Sequence, residues 1–145
     1  MRINEDNPIV TLISSIVAPF IMLFGLYIVF HGHYSPGGGF QGGTILAASV
    51  IIIRLALGSE IGQMQFHRKL GTPLGSLGVL IYFGTGMTTM FLGENFLNYM
   101  SLPVAAEAAF RRSWGILFVE IGVGLAVMAI LIAIYDDLLG EDLDD

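Results

Sequence analysis

Cysteine is absent from this chain of 145 residues, and charged residues are scarce. Without cysteine the chain has no disulfide framework, no thiolate nucleophile and no cysteine ligands for an iron–sulfur cluster. Asp, Glu, Lys and Arg together make up 12% of the chain, whereas soluble domains carry about 25%. Only 6 of these residues are basic and 12 are acidic, so the net charge is −6. The composition argues against a soluble domain and against a nucleic-acid partner, whose phosphates attract basic proteins.

Long hydrophobic runs dominate what is present, because hydrophobic residues make up 54% of the chain. The hydrocarbon core of a bilayer is about 30 Å thick and needs about 20 apolar residues of helix. Continuous runs, rather than alternation of polar and apolar residues, favour helices over a barrel. The sequence therefore predicts a single-domain, all-α membrane protein over residues 1–145. Its four transmembrane helices are expected at residues 9–30, 40–57, 74–92 and 115–135, with an acidic tail at 136–145.

The basic residues give the expected orientation in the membrane. With four spans, Arg2, Arg68 and Lys69 lie on one side, and Arg111 and Arg112 lie on the other. Basic residues are enriched in cytoplasmic loops. The margin of about one charge favours both termini in the cytoplasm of a multi-pass protein of the cell membrane.

A glycine-rich segment joins the first two spans. Its glycines match the G-x-G-x-x-G dinucleotide pattern formally, but that pattern requires a preceding strand, and here a membrane helix precedes it. We therefore expect no dinucleotide and no other cofactor. The proline stops the first helix, and the glycines allow a tight re-entry or the close approach of another chain's backbone. A simple tight turn is the alternative to a subunit-packing loop made of Ser35, Pro36, Gly37, Gly38, Gly39, Phe40, Gln41, Gly42 and Gly43.

Three ionisable residues are candidates for ion translocation. Glu120 interrupts the fourth run, and a charge inside a membrane helix costs about 2.5 kcal/mol or more on insertion scales, so it is usually paired or faces a cavity. A structural pair with a neighbouring chain is the alternative role for Glu120. His31 and His33 follow the first span and titrate near neutral pH, although interfacial histidines often have no such role. Two histidines without cysteine or a nearby carboxylate predict no metal site.

Arg54 is the other charge within an apolar run. The second and fourth spans run in the same direction, so a rise of ~1.5 Å per residue places Arg54 ~20 Å and Glu120 ~8 Å from the same membrane face. A difference of ~12 Å in depth is too long for a direct ion pair. We expect Arg54 to extend to the far interface. We expect Glu120 to have another partner, on the side of the glycine-rich segment.

Small residues four apart recur in the spans. This spacing lets helix backbones approach closely. We expect packing within this chain in preference to packing against a partner. The pairs are Gly39 and Gly43, Gly43 and Ala47, Gly71 and Gly75, and Gly122 and Ala126.

Two segments resemble a known family. GHYSPGGGFQGG, residues 32–43, resembles the signature of the B subunit of multisubunit sodium/proton antiporters, the MnhB/MrpB family. WGILFVEIGVGLAV, residues 114–127, is similar to a second block of that family and contains Glu120. The resemblance extends over nearly the whole chain in length and number of spans. It implies an accessory membrane subunit that supports or lines the sodium-translocating part of a Na⁺/H⁺ antiporter complex. Its implied partners are a large antiporter-like subunit, small Mrp-type subunits, Na⁺, H⁺ and the lipid bilayer.

Two other functions stay open at this point. The resemblance also implies that the same module occurs in redox-driven complexes such as membrane-bound hydrogenases, in which this chain would not be catalytic by itself. A small channel formed by copies of this chain alone is the third hypothesis.

Overall fold

The computed structural model describes residues 7–32, 38–103 and 107–140, apart from the side chains of Ser59 and Glu60. Two one-turn 3-10 helices, Arg68–Leu70 and Tyr99–Ser101, lie in the connections between the long helices. The five α-helices are α1 (Pro8–His31), α2 (Gly39–Leu57), α3 (Ser59–Gln65), α4 (Gly71–Phe91) and α5 (Ala108–Gly140).

Four of these helices, α1, α2, α4 and α5, are long and apolar enough to cross a membrane. The prediction of an all-α membrane protein with four spans is therefore confirmed, and the described residues contain no strand. The fourth helix is longer than the apolar run. It begins at Ala108 and continues through Asp136 and Asp137 to Gly140, because the sequence offers no proline or glycine that would stop it between Tyr135 and Gly140.

The spans lie in the order α1, α2, α5, α4. The closest packing joins α1 to α2, α2 to α5 and α5 to α4, whereas α1 meets α5 only weakly. The two middle helices form a small core in which Ala47 and Val50 of α2 pack with Ile132 of α5. The outer helix α1 exposes most of its apolar surface, including Phe20 and Leu23. Such a surface requires lipid or another membrane chain around it.

A regular seam joins α2 and α5. Small side chains near one end bring the two backbones together, since a Cβ on Gly43 would lie 2.5 Å from the carbonyl oxygen of Gly124. Residues about four apart form a ridge on each helix, and small residues within the ridges let the backbones approach closely. We call this the α2–α5 seam. It is formed by Gly39, Gly43, Ala47, Val50 and Arg54 on α2 and by Glu120, Gly124, Met128, Ile132 and Asp136 on α5.

Glycines also bring α4 against α5. A Cβ on Gly78 would lie 2.5 Å from the backbone nitrogen of Ala126 and 2.5 Å from the carbonyl oxygen of Gly122. Gly71 and Gly75 face side chains of α5 in the same way. Every small-residue pair named from the sequence thus contacts another helix of this chain, so the prediction of packing within the chain is confirmed.

The connection after α4 folds back onto that helix. The buried hydroxyl of Thr89 donates to the carbonyl oxygens of Gly86 (2.7 Å) and Asn95 (3.0 Å). The ring of Phe96 covers Gly86 and meets Tyr82 edge-on, with ring centroids 6.2 Å apart. These contacts hold the connection against α4, and its 3-10 helix also contacts α5.

Candidate functional site

The Glu120 carboxylate lies where α1 ends and α2 begins. A Cβ on Gly32 would lie 2.5 Å from Glu120 Oε1, and a Cβ on Gly38 would lie 2.7 Å from the same atom. Gly39 faces the backbone carbonyl of Glu120. Gly38 also has φ +113°, a conformation that side chains other than glycine's rarely adopt. Only glycines can therefore border this carboxylate so closely.

The start of α2 is a favourable place for a negative charge. The first N–H groups of a helix have no partner within the helix, and the N-terminus carries a partial positive charge. Gly38, the residue that precedes α2, has no side chain with which to cap it. A partly buried carboxylate at this position can hold its charge, or accept a proton or a cation as an oxygen ligand.

Tyr99 borders the same region. Tyr99, in the second 3-10 helix, packs its ring against Gly115 of α5, where a Cβ would lie 2.5 Å from Tyr99 Cδ1. Burial raises the pKa of the Tyr99 phenol, and the neighbouring groups Tyr82 and Glu120 add to the rise. The phenol therefore stays neutral and keeps its proton for hydrogen bonding. The sequence contains no pattern that singles out Tyr99, because its position depends on how the connection folds back.

The two candidate histidines differ in what the structure describes. His31 is the last residue of α1, is exposed and stacks on Tyr27, with ring centroids 4.9 Å apart. It directly precedes Gly32, which borders Glu120. His33 lies outside the described residues. A role of either histidine in ion translocation stays a prediction.

The described part of the glycine-rich segment packs against its own chain. Gly38, Gly39, Gly42 and Gly43 are all buried between α1, α2 and α5. Phe40 is 66% exposed, and Gln41 is exposed as well. Ser35, Pro36 and Gly37 lie outside the described residues. A subunit-packing role for this segment stays a prediction, and Phe40 and Gln41 are its outward-facing members.

Arg54 does not extend into solvent but is buried against other parts of this chain, whereas its depth in the membrane stays a prediction. The residue is 3% exposed and forms an ion pair with Asp136 of α5. Its Nη2 also donates to the carbonyl oxygen of Phe66 at 2.5 Å. The ion pair forms because α5 continues past its apolar run and carries Asp136 to the level of Arg54. Glu120 lies at the other end of the seam, in agreement with the predicted difference in depth.

The Arg54–Asp136 pair joins three elements. Gly62 of α3 lies against the aliphatic stem of Arg54, so the Arg54 side chain lies between α3 and α5. Removing one partner of a buried pair costs about 3–5 kcal/mol, because the other charge is left uncompensated. A second pair lies outside the first, between Arg68 and Asp137 at 3.1 Å, with side chains 50% and 76% exposed. Such an exposed pair contributes about 0–1 kcal/mol.

Metal ligands do not cluster in the part of the chain that the structure describes. No group of three or more His, Asp or Glu residues there could hold a metal ion. Within this part, the candidate groups for ion chemistry are the Glu120 carboxylate with its neighbour Tyr99 at one end of the seam and the Arg54–Asp136 pair at the other.

Comparison with known proteins identifies a family that matches most of this chain. A family model described as "Domain related to MnhB subunit of Na+/H+ antiporter" matches residues 9–133. This range contains Arg54 and Glu120 and ends three residues before Asp136.

Individual relatives match over most of the chain. An uncharacterized protein of Methanocaldococcus jannaschii is 32% identical over 134 residues, which cover 87% of this chain and 50% of that protein. Proteins named "Putative antiporter subunit mnhB2" are similar in Staphylococcus saprophyticus, with 27% identity over 94% of this chain and 97% of that protein, and in Staphylococcus aureus, with 29% identity over 86% and 94%. The chain thus spans half the length of the archaeal relative and nearly the whole length of the staphylococcal ones.

Proposed function

Because the chain belongs to the family of domains related to the MnhB subunit of Na⁺/H⁺ antiporters, we propose that it is an accessory membrane subunit of a multisubunit Na⁺/H⁺ antiporter complex. Its task is to support or line the part of the complex that translocates Na⁺. Glu120 is the group that exchanges a proton or a cation with that path.

The position of Glu120 carries this proposal. Its carboxylate faces Gly32 and Gly38 at the start of α2, beside the neutral phenol of Tyr99. Ionisable groups within a membrane are usually functional or paired, and the helix N-terminus supports the charged form of the carboxylate. This arrangement suits a group that is alternately protonated and charged during transport.

The scarcity of other charges supports an accessory role. The four apolar runs contain only two charged residues, Arg54 and Glu120, and the structure pairs Arg54 with Asp136. Transporters that act alone usually have more helices and internal repeats. The remaining groups of the path are therefore supplied by partner chains, namely a large antiporter-like subunit and small Mrp-type subunits. The apolar outer surfaces of α1 and α4 are available to them.

The proposed location is the cell membrane, with both termini in the cytoplasm. This orientation places Arg68, Lys69 and the Arg54–Asp136 pair near the cytoplasmic face, where basic residues are enriched. Glu120, Arg111 and the second 3-10 helix then lie toward the outer face.

Purification of the tagged chain from its own membranes in a mild detergent tests the proposal, with untagged membranes as the control. We expect several other membrane subunits of the antiporter type to co-purify. Recovery of hydrogenase-like and iron–sulfur subunits in their place would favour the redox-driven complex. Na⁺/H⁺ exchange by the purified chain alone in liposomes would contradict the accessory role.

A further inference from the structure

The α2–α5 seam has a charged residue at each end. Glu120 and Asp136 are 16 residues apart on α5, a distance of about 24 Å at 1.5 Å per residue. On α2, Gly39 faces Glu120 and Arg54 faces Asp136. Because the two helices are continuous over this length, a slip of one along the other at either end moves the contact at the other end.

The middle of the seam opposes such a slip through packing. It consists of glycine and alkyl contacts, with Gly43 on Gly124 and Val50 beside Ile132. Contacts of this kind favour close approach and oppose sliding by packing, but the hydrophobic effect itself is non-directional. At the Glu120 end the carboxylate packs closely against two glycines, since added Cβ atoms on Gly32 and Gly38 would lie 2.5 and 2.7 Å from its Oε1. A slip of about 1 Å, less than the rise of one residue, would therefore alter the surroundings of the carboxylate.

The ion pair at the Arg54–Asp136 end can oppose sliding of α5 along α2. Arg54 is held from three sides, by Asp136 on α5, by the carbonyl oxygen of Phe66 and by Gly62 over its stem. The side chains of the pair are 1% and 10% exposed. Breaking such a buried ion pair is costly, because each charge would be left uncompensated. The guanidinium cannot follow a sliding partner without giving up its other contacts.

We propose that Arg54 and Asp136 are positioning residues, whose ion pair fixes the register of α5 on α2 and thereby places the Glu120 carboxylate against Gly32 and Gly38. The pair touches no transported ion. It acts on Glu120 through the length of the seam.

The test is chemical modification of Glu120 in the assembled complex with dicyclohexylcarbodiimide, a reagent for carboxyl groups in apolar surroundings. Mass spectrometry of the modified peptide gives the rate at Glu120 separately from Asp136. The main variant combines Arg54→Met with Asp136→Leu, which removes the pair without leaving a buried charge. We expect the double variant to change the Glu120 modification rate several-fold. Arg54→Lys keeps a cation opposite Asp136, so its rate should be closer to that of the unaltered complex.

The matched control is Asp137→Asn, which removes the exposed neighbouring pair with Arg68 and should leave the Glu120 rate unchanged. An unchanged rate in the double variant, or an equal change in the control, would overturn the proposal. If the double variant does not assemble, Asp136→Glu decides, because it displaces the carboxylate by one methylene. A changed Glu120 rate in that variant supports the register role, and an unchanged rate overturns it.

The inference rests on the proposed function only in that the latter makes Glu120 the transport group. The modification rate is measured without transport. Failure of the register role and failure of Glu120 as a transport group are therefore distinguishable.

Discussion

Replacement of Gly78 by alanine tests whether glycines set the distance between α4 and α5. The new Cβ would lie 2.5 Å from the Ala126 nitrogen and from the Gly122 carbonyl oxygen. Both are backbone atoms, which cannot rotate away as a side-chain end can. Ordinary contact begins at 3.4 Å, so the helices would have to separate by about 0.9 Å, the difference between 3.4 and 2.5 Å.

The expected cost follows from this separation. Overpacking of a well-packed interface typically costs about 1–3 kcal/mol. The same helix provides a matched control in Gly84, where an added Cβ would have nothing within 4 Å. Gly84→Ala should be neutral or stabilising by up to about 1 kcal/mol, because alanine has the higher helix propensity.

Unfolding of the purified chain by SDS in mixed micelles provides the assay. Trp114, the single tryptophan, lies near the start of α5 and reports the transition by its fluorescence. We expect a lower free energy of unfolding for Gly78→Ala and no loss for Gly84→Ala. Equal effects of the two substitutions would refute the assignment of Gly78 to a backbone contact.

Three further predictions concern the glycine-rich segment, the buried pair and the orientation. Gly38→Val should reduce the amount of assembled complex on native gels, because φ is +113° and the Glu120 carboxylate lies beside this position; a normal amount would contradict this. Asp136→Ala should cost about 3–5 kcal/mol in the SDS assay, and Asp137→Ala about 0–1 kcal/mol; equal costs would contradict the burial of the inner pair. In this cysteine-free chain, Arg112→Cys should react with an impermeant maleimide in intact cells and Lys69→Cys only after permeabilisation, whereas the reverse would invert the proposed orientation.

The spans and the separation of Glu120 from Arg54 along the helices could be predicted from the sequence. Apolar runs of sufficient length identify the helices, and the fixed rise per residue converts position into depth. This reasoning correctly separates Glu120 from Arg54 and assigns Glu120 to the side of the glycine-rich segment. The order of the helices could not be predicted in this way. Small residues such as Gly43 and Gly78 mark close approaches, but they do not say which helix approaches.

The partner of Arg54 shows where sequence reasoning is least reliable. Ending the fourth span with its apolar run, at Tyr135, assigns Asp136 to the acidic tail and leaves Arg54 without a partner at its own depth. Hydropathy measures where a helix leaves the apolar layer, whereas the helix itself ends where its hydrogen bonding ends. Because α5 continues to Gly140, Asp136 is a buried helical residue. A carboxylate one residue beyond an apolar run deserves consideration as a partner for a charge inside the membrane.

Na⁺/H⁺ exchange by the assembled complex carrying Glu120→Gln is the most direct test of the account. Exchange is measured in inverted membrane vesicles, with the amount of complex determined in parallel. The control is Glu107→Gln, at an exposed glutamate that precedes α5. We expect an assembled complex with strongly reduced exchange for Glu120→Gln and normal exchange for Glu107→Gln. Normal exchange by an assembled Glu120→Gln complex would contradict a transport role for this carboxylate, and loss of the complex would show that its role is structural.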